Sequence, residues 1–220
     1  MRLHSILLHT AFGIGLMVIT SLSLSMPVQT ANTPIVGLPC EDCEVPLIGM
    51  PSNPPSQARI APVDEPGVVL HLSGTVFDAE GKPRAGVIIY ANQTDHAGLY
   101  PQAGHASDEG VRRHGRLRAW AMSDAQGRYT FTTIRPGSYP NSDIAEHIHL
   151  YVIERGCALY YIDNVEFTDD PKLKAKLERI QPQNRGGSGI VTPVVDNIIW
   201  KVERDIILGK NITDYPGCAA

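Results

Sequence analysis

The segment HIHLYVIERGCALYYIDNVEF, residues 147–167, decides the fold. It holds two runs of β-branched and aromatic residues broken at Gly156, a composition that suits strands on either side of a turn. Side chains alternate faces along a strand with a period of 2. His147 and His149 therefore project from the same face of the first strand. Two imidazoles held side by side raise the question of a metal, and of what would complete its shell.

The same pattern continues on both sides of this pair. VVLHLSGTVFD (68–78), AGVIIYAN (85–92) and the two halves of RLRAWAMSDAQGRYTFTTIRPGSYP (116–140) are short apolar runs bounded by Gly, Pro, Asn and Asp. SGIVTPVV (188–195) and IIWKVERDIIL (198–208) follow later in the chain. Strands of this length with such punctuation predict an all-β protein, an antiparallel β-sandwich. One helix is expected, DPKLKAKLERI (170–180), with an Asp N-cap and a proline in its first turn.

Residues 26–66 are rich in proline and read as an N-terminal arm or linker ahead of a sandwich domain at 67–220. Residues 1–25 carry one arginine, a long apolar stretch and the small-x-small ending Ser23-Leu24-Ser25, the form of a signal peptide cleaved after Ser25. The alternative is an uncleaved anchor over Ile6–Leu24, just long enough to span a bilayer. Either way the remainder is exported, to a periplasm or the outside, and after cleavage it has no membrane partner. In an oxidising compartment Cys40, Cys43, Cys157 and Cys218 are expected as disulfides, with all three connectivities open. The net charge of −4 and the absence of a long basic run show no bias toward nucleic acid, and no nucleic-acid partner is expected. Oligomeric state is left open.

Two tyrosines stand on loops near the histidine pair: Tyr100 at the end of the second run's loop, and Tyr139 just past a Pro-Gly turn. Phenolate is a hard anionic donor and imidazole an intermediate one, a mixture that suits ferric iron better than zinc or copper(I). A phenol ligates as phenolate only where a strong cation displaces its proton.

In order and spacing the chain resembles the intradiol ring-cleavage dioxygenases, the catechol and protocatechuate types. The likeness runs from about Leu70 to Phe167, through Gly74–Pro83, Gly98–Tyr100, Asp124–Pro140 and His147–His149. The resemblance implies four ligands to Fe(3+): Tyr100, Tyr139, His147 and His149. It implies a small aromatic ortho-diphenol and O2 as reactants, cleavage between the two hydroxyl carbons, and a place in aromatic catabolism. Tyr139 would leave the metal and take a substrate proton. The sequence departs from the family at Ile144, where an arginine is usual, and at Asn164, where a glutamine is usual. Arg185, in the glycine-rich NRGGSG (184–189), is expected to supply the missing cation.

Other residues read as structure. Tyr129, Tyr151, Tyr160, Tyr161, Trp120 and Trp200 fall in strand patterns and belong to the core or a sheet face. HASDEGVRRH (105–114) reads as a solvated loop, with a weaker role for His114 or Arg116 behind the ligands. Glu146 should face away from His147. Two other functional classes fit the same residues: a non-catalytic sandwich that binds ligands, and a histidine-based metalloprotein such as a copper site.

Overall fold

A computed structural model describes residues 33–37, 40–102, 104 and 108–219. The signal peptide expected at residues 1–25 lies outside the described residues. Two sheets face each other. The first runs β1 (Gln57–Arg59), β5 (Arg128–Ile134), β2 (Val69–Phe77), β10 (Ile199–Glu203), β9 (Val194–Asp196), and β11 (Ile206–Ile207) pairs with the far end of β2. The second runs β4 (Arg118–Met122), β3 (Ile88–Gln93), β6 (His147–Glu154), β7 (Ala158–Phe167), β8 (Ile190–Val191). This is the expected sandwich. The long pairs, β2·β5, β3·β4, β3·β6 and β6·β7, are antiparallel, while β1, β8, β10 and β11 join by parallel pairing.

Alternation builds the core. Leu70, Leu72 and Val76 of β2 and Tyr129 and Phe131 of β5 point inward, against Ile89, Ala91, Ile148, Leu150, Val152 and Ile162 of the second sheet. Each fully buried aliphatic side chain contributes about 1.5–3 kcal/mol relative to exposure. At Gly74 any β-carbon would collide with the Arg204 carbonyl. Arg204 is itself 1% exposed, and its guanidinium donates to the carbonyls of Arg185, Gly186 and Gly187. It thereby pins the glycine-rich loop to the sandwich.

The outer face of the second sheet is apolar too: Ile88, Tyr90, Tyr151, Ile153 and Leu159. An apolar sheet face must be covered, and here the proline-rich arm covers it. Ile35 bridges to Leu159, Cys43 and Val45 are buried, and Trp120 donates its indole N–H to the Pro46 carbonyl at 2.7 Å. Further along, β1 joins the first sheet, and Ile60 and Ala61 enter the main core. The expected boundary at residue 67 therefore moves upstream, because the arm from Ile35 onward packs on the domain. Two disulfides form, Cys40–Cys43 in the arm and Cys157–Cys218 across a separation of 61 residues.

A second correction concerns residues 105–114. Within that charged stretch α1 (Glu109–His114) forms, with Asp108 accepting from the Val111 N–H as N-cap and Gly115 closing the helix at φ 68°. His105 lies outside the described residues. The helix expected at 170–180 is α2 (Pro171–Leu177). Its N-cap, Asp170, accepts from Lys172 N–H and also from Glu146 N–H at 2.7 Å, tying the helix to the chain just before His147. Asp170→Ala removes both bonds, and urea unfolding should show a loss of about 1–2 kcal/mol.

Candidate metal centre and its cavity

β6 is hydrogen-bonded to β3 on one edge and β7 on the other, so its backbone is fixed. His147 and His149 occupy its first turn of pleat and share the outer face with Tyr151. Across from them β7 carries one extra residue, because Ile148 pairs with Val165 while Leu150 pairs with Ile162. This bulge turns Asn164 toward His149, whose Nδ1–H donates to Asn164 Oδ1 at 3.1 Å. His147 Nδ1–H donates to the Ala145 carbonyl at 2.7 Å. Both rings therefore present a bare Nε2 lone pair on the same side.

The two tyrosines arrive on loops locked to each other. Asp95 accepts from the N–H groups of Ala97 and Leu99, and its own N–H donates to the Leu99 carbonyl. The Asp95 carbonyl accepts from Gly137 N–H, and Thr94 donates its hydroxyl to the Gly137 carbonyl. Gly98, at φ 79°, faces the Ser138 carbonyl so closely that no side chain fits between them. Beneath, buried Gln93 donates to the Ile134 carbonyl and accepts from Thr133.

The four predicted ligands come together. Tyr100 Oη lies 2.7 Å from Tyr139 Oη and 2.9 Å from His149 Nε2. Tyr139 Oη lies 3.2 Å from His147 Nε2 and 3.5 Å from His149 Nε2, and the two Nε2 atoms are 3.2 Å apart. Burial depresses both imidazoles, His149 to about 3 with the neighbouring His147 adding to the effect, so both rings are neutral. Burial, then the Tyr139 hydroxyl, pushes the Tyr100 phenol upward.

This arrangement is short of protons. Four acceptor atoms touch one another, and only the two phenol hydrogens lie among them, because both Nδ1 protons are spent elsewhere. Ligand atoms about 2 Å from a shared ion stand about 3 Å from one another, which is the spacing seen. Asn92, directly across from His149 on β3, adds a buried Oδ1 with no partner. The residues fit a hard cation that would convert the phenols to phenolates. Among the described residues no three His, Cys, Asp or Glu side chains form a metal cluster.

A cavity of about 370 Å³ opens over the cluster, bounded by Tyr100, Tyr139 and His149 below and Tyr151, Tyr161 and His114 at the sides. Arg185 does not line it. Its guanidinium stacks 3.7 Å from the Tyr161 ring centre and donates to the Gly37 carbonyl, so the expected replacement cation sits behind a cavity wall. Ile144 is half exposed and bounds a separate surface cleft. Glu146 turns away from the cluster, as expected, into an ion pair with Arg135. Arg116 pairs with Glu65. His114 and Arg113, carried by α1, reach the cavity instead. The helix caps Asp108 and Gly115 were the signal that could have found them. His114 is buried, and its Nδ1 bonds the Tyr90 hydroxyl at 2.9 Å.

Comparison with known proteins places this geometry in company. A family profile described as "Dioxygenase" matches residues 52–179. The chain is 30% identical to the beta chain of protocatechuate 3,4-dioxygenase from Burkholderia cepacia over 107 residues, 46% of each chain. It is 40% identical to catechol 1,2-dioxygenase from Candida albicans over 69 residues, 31% of this chain and 22% of that one. The chain spans about half the length of the curated relatives it matches. Among solved structures, a dioxygenase domain from Streptomyces sp. SirexAA-E superposes with a TM-score of 0.54 at 25% identity, covering 72% of this chain and 90% of that one. Catechol 1,2-dioxygenase from Acinetobacter sp. ADP1 shares the fold with a TM-score of 0.56 at 20% identity, over 74% and 59%.

Burial holds His114 down at about 4, against an ordinary 6.5. The unfolded chain takes up this proton as pH falls below 6.5, while the folded chain refuses it until about 4. The His114 contribution is thus complete above pH 6.5 and is lost as pH drops toward 4. Melting temperatures measured across that window should fall more steeply for the wild type than for His114→Asn.

Proposed function

The chain belongs to the intradiol ring-cleavage dioxygenase family, and from that premise we propose that it uses ferric iron and O2 to open an ortho-diphenol ring between its hydroxyl carbons. The observation that carries this reading is the proton-poor meeting of Tyr100, Tyr139, His147 and His149, with donor atoms 2.7–3.5 Å apart. Those four side chains would hold the iron. Ferric iron held there would supply Lewis acidity, which makes the hydroxyls of a bound diphenol more acidic.

The chain's own groups have distinct tasks. Tyr139 is the half-buried phenol with contacts to three of the cluster's other atoms, and its Oη is the natural acceptor of a diphenol proton. Asn164 is a positioning residue: by accepting a hydrogen bond from His149 Nδ1–H it keeps the proton there and Nε2 free. Tyr161 offers a flat wall, and Arg185 stacked behind fixes its tilt. Arg185 thus acts through Tyr161. The substrate's ring enters between Tyr161, Tyr151 and the phenols, which exclude water from the reacting face. Export accompanies this reading, supported by the leader-like residues 1–25 and by the formation of both disulfides.

The test is loading of the purified protein with ferric iron, followed by visible absorption and oxygen uptake with catechols. Tyrosinate-to-iron charge transfer should colour the wild type. Tyr100→Phe and Tyr139→Phe should each weaken the band and abolish most oxygen uptake. Metal binding that survives loss of both tyrosines would point to a histidine site such as copper, and failure to bind any metal, with no oxygen uptake, would leave a binding module. Asn164→Ala should weaken iron binding by about 10–100-fold, measured by chelator competition. Arg185→Ala should leave iron stoichiometry at the wild-type value and raise KM, as Tyr161 loses its support; an unchanged KM would remove Arg185 from the site.

A further inference from the structure

The cavity over the donor cluster has a charge pattern that the ring-cleavage chemistry does not require. Its mouth carries Glu41 and Asp42 from the disulfide loop, and its one lining guanidinium is Arg113. That guanidinium is already shared between two carboxylates, Asp42 and Glu109. Glu41, with its side chain in solvent, has no ion pair among the described residues. His114, on the same wall, is neutral at working pH. The lining residues therefore carry a net negative charge, two carboxylates against one guanidinium, with Arg118 of β4 outside the lining.

A further observation agrees. Asn92, 2% exposed and on the cavity lining, has an Oδ1 without a hydrogen-bond partner. A buried acceptor left over in a binding cavity calls for a donor from the ligand. A carboxylate would offer that acceptor nothing and would meet Glu41 at the mouth; an ammonium would offer N–H groups and an attractive charge.

We propose that this cavity selects ortho-diphenols whose ring substituent ends in an ammonium over those whose substituent is a carboxylate, with Glu41 as the specificity-determining residue. The inference rests on the ring-cleavage reading only in taking an ortho-diphenol as the occupant. It concerns the substituent, the part of the ligand that the donor cluster does not hold.

The experiment is equilibrium binding by calorimetry to the iron-loaded protein without oxygen, using catechol, 3,4-dihydroxybenzoate and 4-(2-aminoethyl)catechol. The ammonium compound should bind roughly tenfold more tightly than the carboxylate, with catechol between them, given one net charge in partly solvated surroundings. Added salt should compress that ratio, and Glu41→Lys should erase or invert it. Equal or tighter binding of the carboxylate by the wild type overturns the inference, as does a ratio indifferent to Glu41→Lys, or no binding of any of the three. Oxygen uptake with the same compounds separates the two readings. The expected binding order without oxygen consumption removes ring cleavage and leaves charge selection standing. Oxygen consumption with the reverse order does the opposite.

Discussion

The pairing of β6 on both edges is the constraint on which the rest depends. A strand paired on both edges cannot rotate or slide, so His147 and His149 have one direction in which to point. The bulge in β7 then brings Asn164 under His149, and Asp170 holds the chain that enters β6. The tyrosines have no such strand beneath them. They depend instead on Asp95, Gln93 and a backbone contact between two loops. A site built this way has its donors in place before any ligand arrives.

Burial makes opposite demands on the two kinds of donor. It favours neutral imidazole, the ligating form, and it disfavours phenolate, also the ligating form. The same dry surroundings thus prepare half the shell and obstruct the other half. On the proposed function, a strongly charged ion at the centre would reconcile them, and its entry would expel phenol protons. On the function proposed above, the centre would select hard, highly charged cations, since a weak cation could not displace those protons.

Much of the architecture was legible because it is local. Runs such as VVLHLSGTVFD and the pair around Gly156 carry period-two burial that the sandwich reproduces. Each residue of the cluster also sits in its own local signal: a His-x-His strand, a loop glycine before Tyr100, a Pro-Gly turn before Tyr139. What the sequence hid is long-range. The arm has no periodicity, since prolines cover a face without joining a ladder, and its partner face is read only once Ile88, Tyr90 and Ile153 are seen on one side of a sheet. Arg185 looked like a free cation because nothing near it in the chain announces Tyr161, 24 residues away. The α1 helix was hidden by its charge, although its two caps were in plain view.

The contact between Gly98 and the Ser138 carbonyl has a consequence for anyone moving this centre elsewhere. Tyr100 and Tyr139 lie far apart in the chain, yet the loops that bear them meet backbone to backbone and exchange hydrogen bonds through Asp95 and Thr94. They form one mechanical part made of two pieces of sequence. A loop graft that carries either tyrosine alone brings half of a clasp. The unit to transplant is the pair of loops with their glycines, set above a strand that already holds its histidines still.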